Sequence, residues 1–144
     1  SNGAVTFAAT VVGPARKIRS GLLRLDGHGS ELLAAVGDPV PGVNGTHYQA
    51  FSDPVVNAAG DLAFFALLSP PATGTGDGAL FVVSGGTTRL AIQDGQAVEG
   101  ANSTALRIND TAPAAPLSLL DDGSLLVAAH LQDQAADGLF LVQP

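Results

Sequence analysis

The groups able to do chemistry in this 144-residue chain are few and scattered. Hard oxygen donors sit in Asp/Gly turns: Asp26-Gly-His-Gly29, Gly74-Thr-Gly-Asp77-Gly78 and Asp121-Asp122-Gly123. Calcium takes carboxylates and backbone carbonyls from such loops, so Asp26, Asp77, Asp121 and Asp122 are the candidate ligands. None follows the EF-hand or the nonapeptide calcium repeat. Turn formation alone also explains them, because an Asp side chain hydrogen-bonds the backbone close by. His28, His47 and His130 lack metal-ligand spacing. Tyr48 and Phe51 are the candidate platform for stacking on a sugar ring; packing on an edge strand is the competing reading. There is no Cys, hence no thiolate zinc site, disulfide or cysteine nucleophile. There is no Gly-x-Ser-x-Gly elbow. Asp121 and Asp122 are adjacent, whereas a glycosidase needs two carboxylates across a cleft. The glycine-rich Gly74–Gly78 lacks the Lys-Ser/Thr and following helix of a phosphate loop. These residues predict no catalytic centre and no cofactor, with calcium the best of the weak ligand candidates and a sugar at Tyr48 and Phe51 beside it.

Composition narrows the class further. Thirteen acidic residues stand against six basic, giving a net charge of −7. Such a surface argues against binding a phosphate backbone. The basic cluster Arg16-Lys17-Arg19 reads as a solvated loop rather than an anion site. Hydrophobic residues make up 46% and charged ones 13%, which excludes bulk disorder and fits one compact domain or part of a larger one. No apolar run reaches the roughly 18 residues of a membrane span. Ser1–Thr10 has neither a basic segment nor a long apolar one, so no signal peptide is expected there. A chain that opens without Met reads as a processed protein or a fragment.

The elements that would carry these residues come from three similar stretches: Gly3–Val11, Gly60–Leu68 and Gly123–Leu131. Their glycines lie 57 and 63 residues apart. Every second residue after each glycine is apolar: Val5, Phe7, Ala9, Val11; Leu62, Phe64, Ala66, Leu68; Leu125, Val127, Ala129, Leu131. That is the period of a strand with one face in a core. The intervening residues are largely apolar or small as well, so both faces are expected to be covered. A second strand follows in each copy, with Gly21, Gly78 and Gly138 aligned at its start. A third follows in two copies, Glu31–Val36 and Thr88–Ile92, after Gly turns typical of hairpins. A fourth segment, containing Pro54 or Pro116, leads to the next copy and is expected at an edge or broken. Glu31–Val36 and Gln132–Asp137 are too short for helices.

The expected fold is all-β: antiparallel sheets from repeated four-stranded units of about 57–63 residues, resembling propeller blades. Residues 1–56 form repeat 1, 57–119 repeat 2 and 120–144 a partial repeat 3. Propellers need about four blades or more, so 144 residues are too few to close one. A fragment, a self-associating piece, or a closed sandwich or barrel of about ten strands are the alternatives. Open edges at Gly3–Val12 and Gly138–Gln143 are expected to pair with another chain.

Two motifs carry a family resemblance. Asn57-Ala-Ala-Gly60-Asp-Leu-Ala-Phe64 fits Asn-x-x-Gly-x-x-x-Phe, and Gly37-Asp38-x-x-Pro41-Gly42 follows an apolar strand. Together they resemble a bacterial secreted tandem-repeat family, the choice-of-anchor proteins bearing the Asn-x-x-Gly-x-x-x-Phe repeat. The third copy departs from the pattern, with Leu120 and Val127 in place of Asn and Phe. The resemblance implies a secreted or cell-surface bacterial protein built of β units, and it transfers no catalytic residue. On physical grounds Asn57, Gly60, Gly37, Asp38 and Gly42 are turn formers, since Asn and Gly tolerate the left-handed conformation. The expected function is a non-catalytic structural or interaction module. The runner-up is a carbohydrate- or calcium-dependent binding module, and a propeller-type hydrolase comes third.

Overall fold

The computed structural model describes residues 3–12, 18–70, 78–96, 106–107, 117–131 and 136–143. These residues contain no helix, and hence none able to cross a membrane. They form twelve strands: β1 (Val5–Val12), β2 (Ile18–Asp26), β3 (Gly29–Ala35), β4 (His47–Phe51), β5 (Val55–Val56), β6 (Leu62–Ser69), β7 (Gly78–Ser84), β8 (Thr87–Gln93), β9 (Leu106–Arg107), β10 (Leu117–Leu119), β11 (Leu125–Leu131) and β12 (Ala136–Val142). All pairings are antiparallel and form three sheets. Sheet I runs β1-β2-β3. Sheet II runs β4-β6-β7-β8, with β5 also on β6. Sheet III runs β10-β11-β12, with β9 also on β11. None closes into a barrel, which corrects the barrel alternative. Among the described residues each sheet ends in strands that do not pair with one another: β1 and β3, β4 and β8, β10 and β12.

The lead-in segment breaks where its proline falls. β4 and β5 are separated by Ser52–Pro54, and both lie along β6. Sheet II therefore takes its edge from residues before Asn57. Glu31–Ala35 is part of β3. Of Gln132–Asp137, the last two residues begin β12. Residues 132–135 and Pro116 lie outside the described residues.

The three sheets share a register. A glycine with positive φ opens each: Gly3 at 67°, Gly60 at 89° and Gly123 at 84°. Four residues on, Phe7 pairs with Leu23, Phe64 with Phe81 and Val127 with Phe140. Two further on, Ala9 faces Gly21, Ala66 faces Ala79 and Ala129 faces Gly138. Ala79, not Gly78, is thus the counterpart of Gly21 and Gly138. A strand's side chains alternate, so aligning Gly78 by residue type alone turns β7 over. A bulge also recurs. Leu22 pairs with Ala34 and Leu23 with Leu32, bypassing Leu33; Leu80 pairs with Ile92 and Phe81 with Leu90, bypassing Ala91.

Sheet II lies between the other two. Leu62, Phe64, Ala66, Leu68, Ala79, Phe81 and Val83 point to one side and form a core with Leu22, Ala34, Val40 and Tyr48. Ala63, Leu80, Val82 and Ile92 point to the other and form a core with Leu119, Leu125, Val127 and Ala129 of sheet III. Consecutive residues of β7 therefore enter different cores, and Gly78–Val83 are all buried. A sheet covered on both faces needs near-continuous apolar strands rather than strict alternation, which is what β6 and β7 have. Rings of Tyr48, Phe51, Phe64 and Phe81 cluster in the first core, with the Phe64 and Phe81 centroids 5.3 Å apart and stacked.

Candidate functional site

The turn residues singled out in the sequence, Gly37, Asp38, Gly42, Asn57 and Gly60, lie at joints between sheets. The first joint follows β3. Gly37, with φ 89°, turns the chain so that its N–H donates to the Tyr48 carbonyl at 2.8 Å. The Tyr48 N–H donates back to the Asp38 carbonyl at 3.0 Å. The Asp38 side chain closes the turn: Oδ2 accepts from the Ala35 N–H at 2.9 Å, and Oδ1 accepts from Arg19 Nη2 at 2.8 Å. Arg19 also donates to the Val36 carbonyl at 3.1 Å. Both ion-pair partners are well exposed, so the pair is worth about 0–1 kcal/mol and positions the turn more than it stabilises it. Gly42 has φ 79° and lies under Leu90. The Gly37–Gly42 motif thereby ties the end of sheet I to the edge of sheet II.

The second joint is a row of turns. The Asn57 N–H donates to the Asp61 carbonyl at 3.0 Å, and Asn57 Oδ1 accepts from the Asp61 N–H at 2.9 Å. The Gly60 N–H donates to the Asn57 carbonyl at 3.2 Å. In the third copy the Leu120 N–H donates to the Ser124 carbonyl at 2.9 Å, and the Gly123 N–H to the Leu120 carbonyl at 3.0 Å. Leu120 cannot supply a side-chain acceptor. Asp122 does so instead, its Oδ1 accepting from the Ser124 N–H at 2.9 Å. The Ser124 N–H, then its hydroxyl, hold the Asp122 carboxyl below the usual carboxylate range. The turns are linked to one another. Asn57 Nδ2 donates to the Leu120 carbonyl at 3.0 Å, and the Ala58 N–H donates to Asp121 Oδ1 at 3.1 Å. Arg24, on β2, donates to the Gly60 carbonyl at 2.8 Å.

Asn57 is therefore both turn closer and staple. Asn57→Ala removes an acceptor for one N–H and a donor to the next turn, and we expect a loss of about 1–2 kcal/mol in urea unfolding. Asn57→Asp keeps the acceptor, loses the donor and places a second negative charge beside Asp61, so it should rescue less than half of that loss.

The candidate calcium ligands occupy different places. Asp26 Oδ1 accepts from the His28 N–H at 2.7 Å, closing the β2–β3 hairpin. Asp121 and Asp122 serve the turns just described. Asp77 lies outside the described residues. Among the described residues no three His, Cys, Asp or Glu side chains converge as metal ligands. The histidines are on separate elements: His28 and His47 exposed, in the β2–β3 turn and on β4, and His130 half-buried on β11.

Tyr48 is 3% exposed, at the centre of the aromatic cluster, and Phe51 packs beside it. A ring so placed has no free face to offer a sugar. The structure puts Tyr48 in the core, as edge-strand packing implies and a stacking platform does not. Burial, then the negative charge of Asp38, push its phenol well above the usual value. The neutral phenol is favoured in the fold, so this stability is present below about pH 10 and is lost as pH rises above it. Tyr48 is the only tyrosine, so tyrosinate absorbance reads it alone. We expect that absorbance to appear together with unfolding; Tyr48→Phe should push alkaline unfolding to higher pH.

Residue type did not reveal the partners across the joints. Arg24 carried one signal, a charge inside the apolar run Leu22-Leu23-Arg24-Leu25. Leu120 and Asp121 carried none, because their role depends on a turn 63 residues away.

The geometry defines a class: an all-β protein of face-packed antiparallel sheets, tied at their turns by backbone-directed polar side chains. The chain belongs to the family of unknown function DUF7453, whose profile matches residues 1–141. No curated protein and no solved structure matches it.

Proposed function

We propose that the chain is a non-catalytic structural and interaction module of an extracellular bacterial repeat protein, its sheets being successive propeller-blade-like units of a tandem array. The observation that carries this is sheet II, buried on both faces by neighbours that share its register. Each unit has an apolar face on either side and cannot cover them alone, which is the physical condition of a repeat array. The polar side chains of the joints serve backbone groups, the work of a scaffold. The likeness to choice-of-anchor repeat proteins supports the secreted, cell-surface setting.

The test is to insert a second copy of residues 57–119 after Leu119. A true repeat unit adds one more sheet, so the longer chain folds cooperatively and its urea m-value rises with the added buried surface. A longer chain that is soluble but unfolded over the insert contradicts the reading. A binding module, in contrast, is stabilised by its ligand, by about 2.7 kcal/mol at a hundredfold excess over Kd. Thermal unfolding in millimolar calcium, and with a panel of oligosaccharides, should therefore stay unchanged.

A further inference from the structure

The two outermost sheet faces are apolar and uncovered, and the middle sheet shows what covers such faces. On sheet I the outward residues are Val5, Phe7, Leu25 and Leu32, all exposed, with Phe7 at 38%. The shared register makes them the counterparts of Leu62, Phe64, Val83 and Leu90. Those four are in, or packed against, the core between sheets I and II. On sheet III the outward residues are Leu126, Leu139 and Leu141, with Leu139 at 68% and Leu141 at 55%. They correspond to Ala63, Leu80 and Val82, which are buried against sheet III. In both cores formed by the described residues, then, one kind of face packs on the other. The face of the Leu22/Leu80/Leu139 position meets the face of the Phe7/Phe64/Val127 position. Among the described residues each kind has one exposed example, at opposite ends of the stack.

We propose that a second copy of this chain docks head to tail, its Leu126/Leu139/Leu141 face covering the Val5/Phe7/Leu25/Leu32 face of the first. The occupant follows from continuity: each free face repeats one whose partner is visible inside the chain, and a second copy presents that partner. Exposed apolar patches of this kind mark interaction sites. The contact is heterologous, joining two different surfaces, so copies either close into a ring or extend as a stack. It leaves the edge strands β1 and β12 free, which separates it from pairing through strand edges. The inference deepens the repeat-module reading and rests on it.

The experiment is light scattering after size exclusion on the full chain, on Phe7→Glu, on Leu139→Glu, and on a one-to-one mixture of the two variants. The parent chain is expected at twice its 14.3 kDa mass or more. Each variant has one blocked face and no intact partner for the other, so each should run at the monomer mass. The mixture should form a one-to-one dimer of double the monomer mass, because each variant supplies the face the other lacks. Both sites are exposed, so at concentrations where the parent is monomeric the unfolding midpoints should match. Leu32→Glu and Leu141→Glu repeat the test at neighbouring positions if either variant fails to fold. A parent that stays monomeric at high concentration overturns the proposal, as does a single variant that still associates, or a mixture that stays monomeric. If the chain with the duplicated 57–119 unit folds while the parent stays monomeric, the repeat reading stands and the docking alone falls.

Discussion

Phe64→Ala should unfold the chain at far lower urea than the parent, with a loss of about 3–5 kcal/mol. Phe64 is fully buried, stacked on Phe81 and within ring contact of Tyr48 and Phe51. Truncation removes its contacts on both sides and leaves a cavity that two hydrogen-bonded sheets close only in part. A small domain has about 5–15 kcal/mol in all, so the loss is a large share. The control is Phe7→Ala. Phe7 holds the same register position in sheet I, yet it is 38% exposed, and a much smaller loss, on the order of 1 kcal/mol, is expected. Equal losses at the two positions, measured where the parent is monomeric, would mean that the sheet I face is covered within the chain after all.

Val82→Asp probes the opposite face of the same sheet and should also be destabilising. Val82 is buried between sheets II and III. A carboxylate there sits among Leu80, Ile92 and Leu125, with half-buried Arg89 as its cross-strand neighbour. A buried charge costs on the order of 3–5 kcal/mol without a partner, and pairing with Arg89 offsets part of that. Sheet I does carry a charge at this position, Arg24, but its long side chain reaches the Gly60 carbonyl at the rim. An Asp is too short to do so. Leu141→Asp, at the matching position of sheet III, should change stability by no more than about 0.5 kcal/mol in the monomer, since Leu141 is exposed. The Val82→Asp loss should shrink as pH falls and the carboxyl is protonated.

The sequence made the strands readable because apolar alternation is a local mark. Two-sided cover, expected of all three copies from their apolar intervening residues, holds for sheet II alone, the outer residues of sheets I and III being exposed. The breaks were readable too, as at Pro54, which cannot donate to β6. What residue type misled on was register. Gly78 looked like the partner of Gly21 and Gly138, but a Cβ on Gly78 would meet Phe65 Cε2 at 2.7 Å and Asp94 Oδ2 at 2.8 Å. Its glycine answers to side chains crossing from β6 and from the turn after β8, not to the position shared by the sheets. Tyr48 was ambiguous for a related reason. A lone tyrosine on a short strand packs or projects according to which sheet that strand joins, and β4 joins β6, beside Phe64. The joints were the least readable part. Asn57 and Asp38 were recognisable as turn residues, while the reach of Asn57 to Leu120 exists only once the sheets are stacked, and that of Asp38 to Arg19 only once β2 and β3 pair.

The whole stack rests on sheet II being covered on both faces by sheets like itself. The chain has no cysteine, so single thiols can be placed at will. Val82 and Val83 are consecutive residues of β7 that enter different cores. The decisive measurement is the rate of thiol labelling of Val82→Cys and Val83→Cys in the folded chain, against Leu141→Cys as an exposed reference. Both β7 thiols are predicted to label only through unfolding, many-fold slower than the reference and at rates that rise together with urea. A folded chain in which one of the two labels as fast as the reference would leave sheet II with an open face and contradict the account.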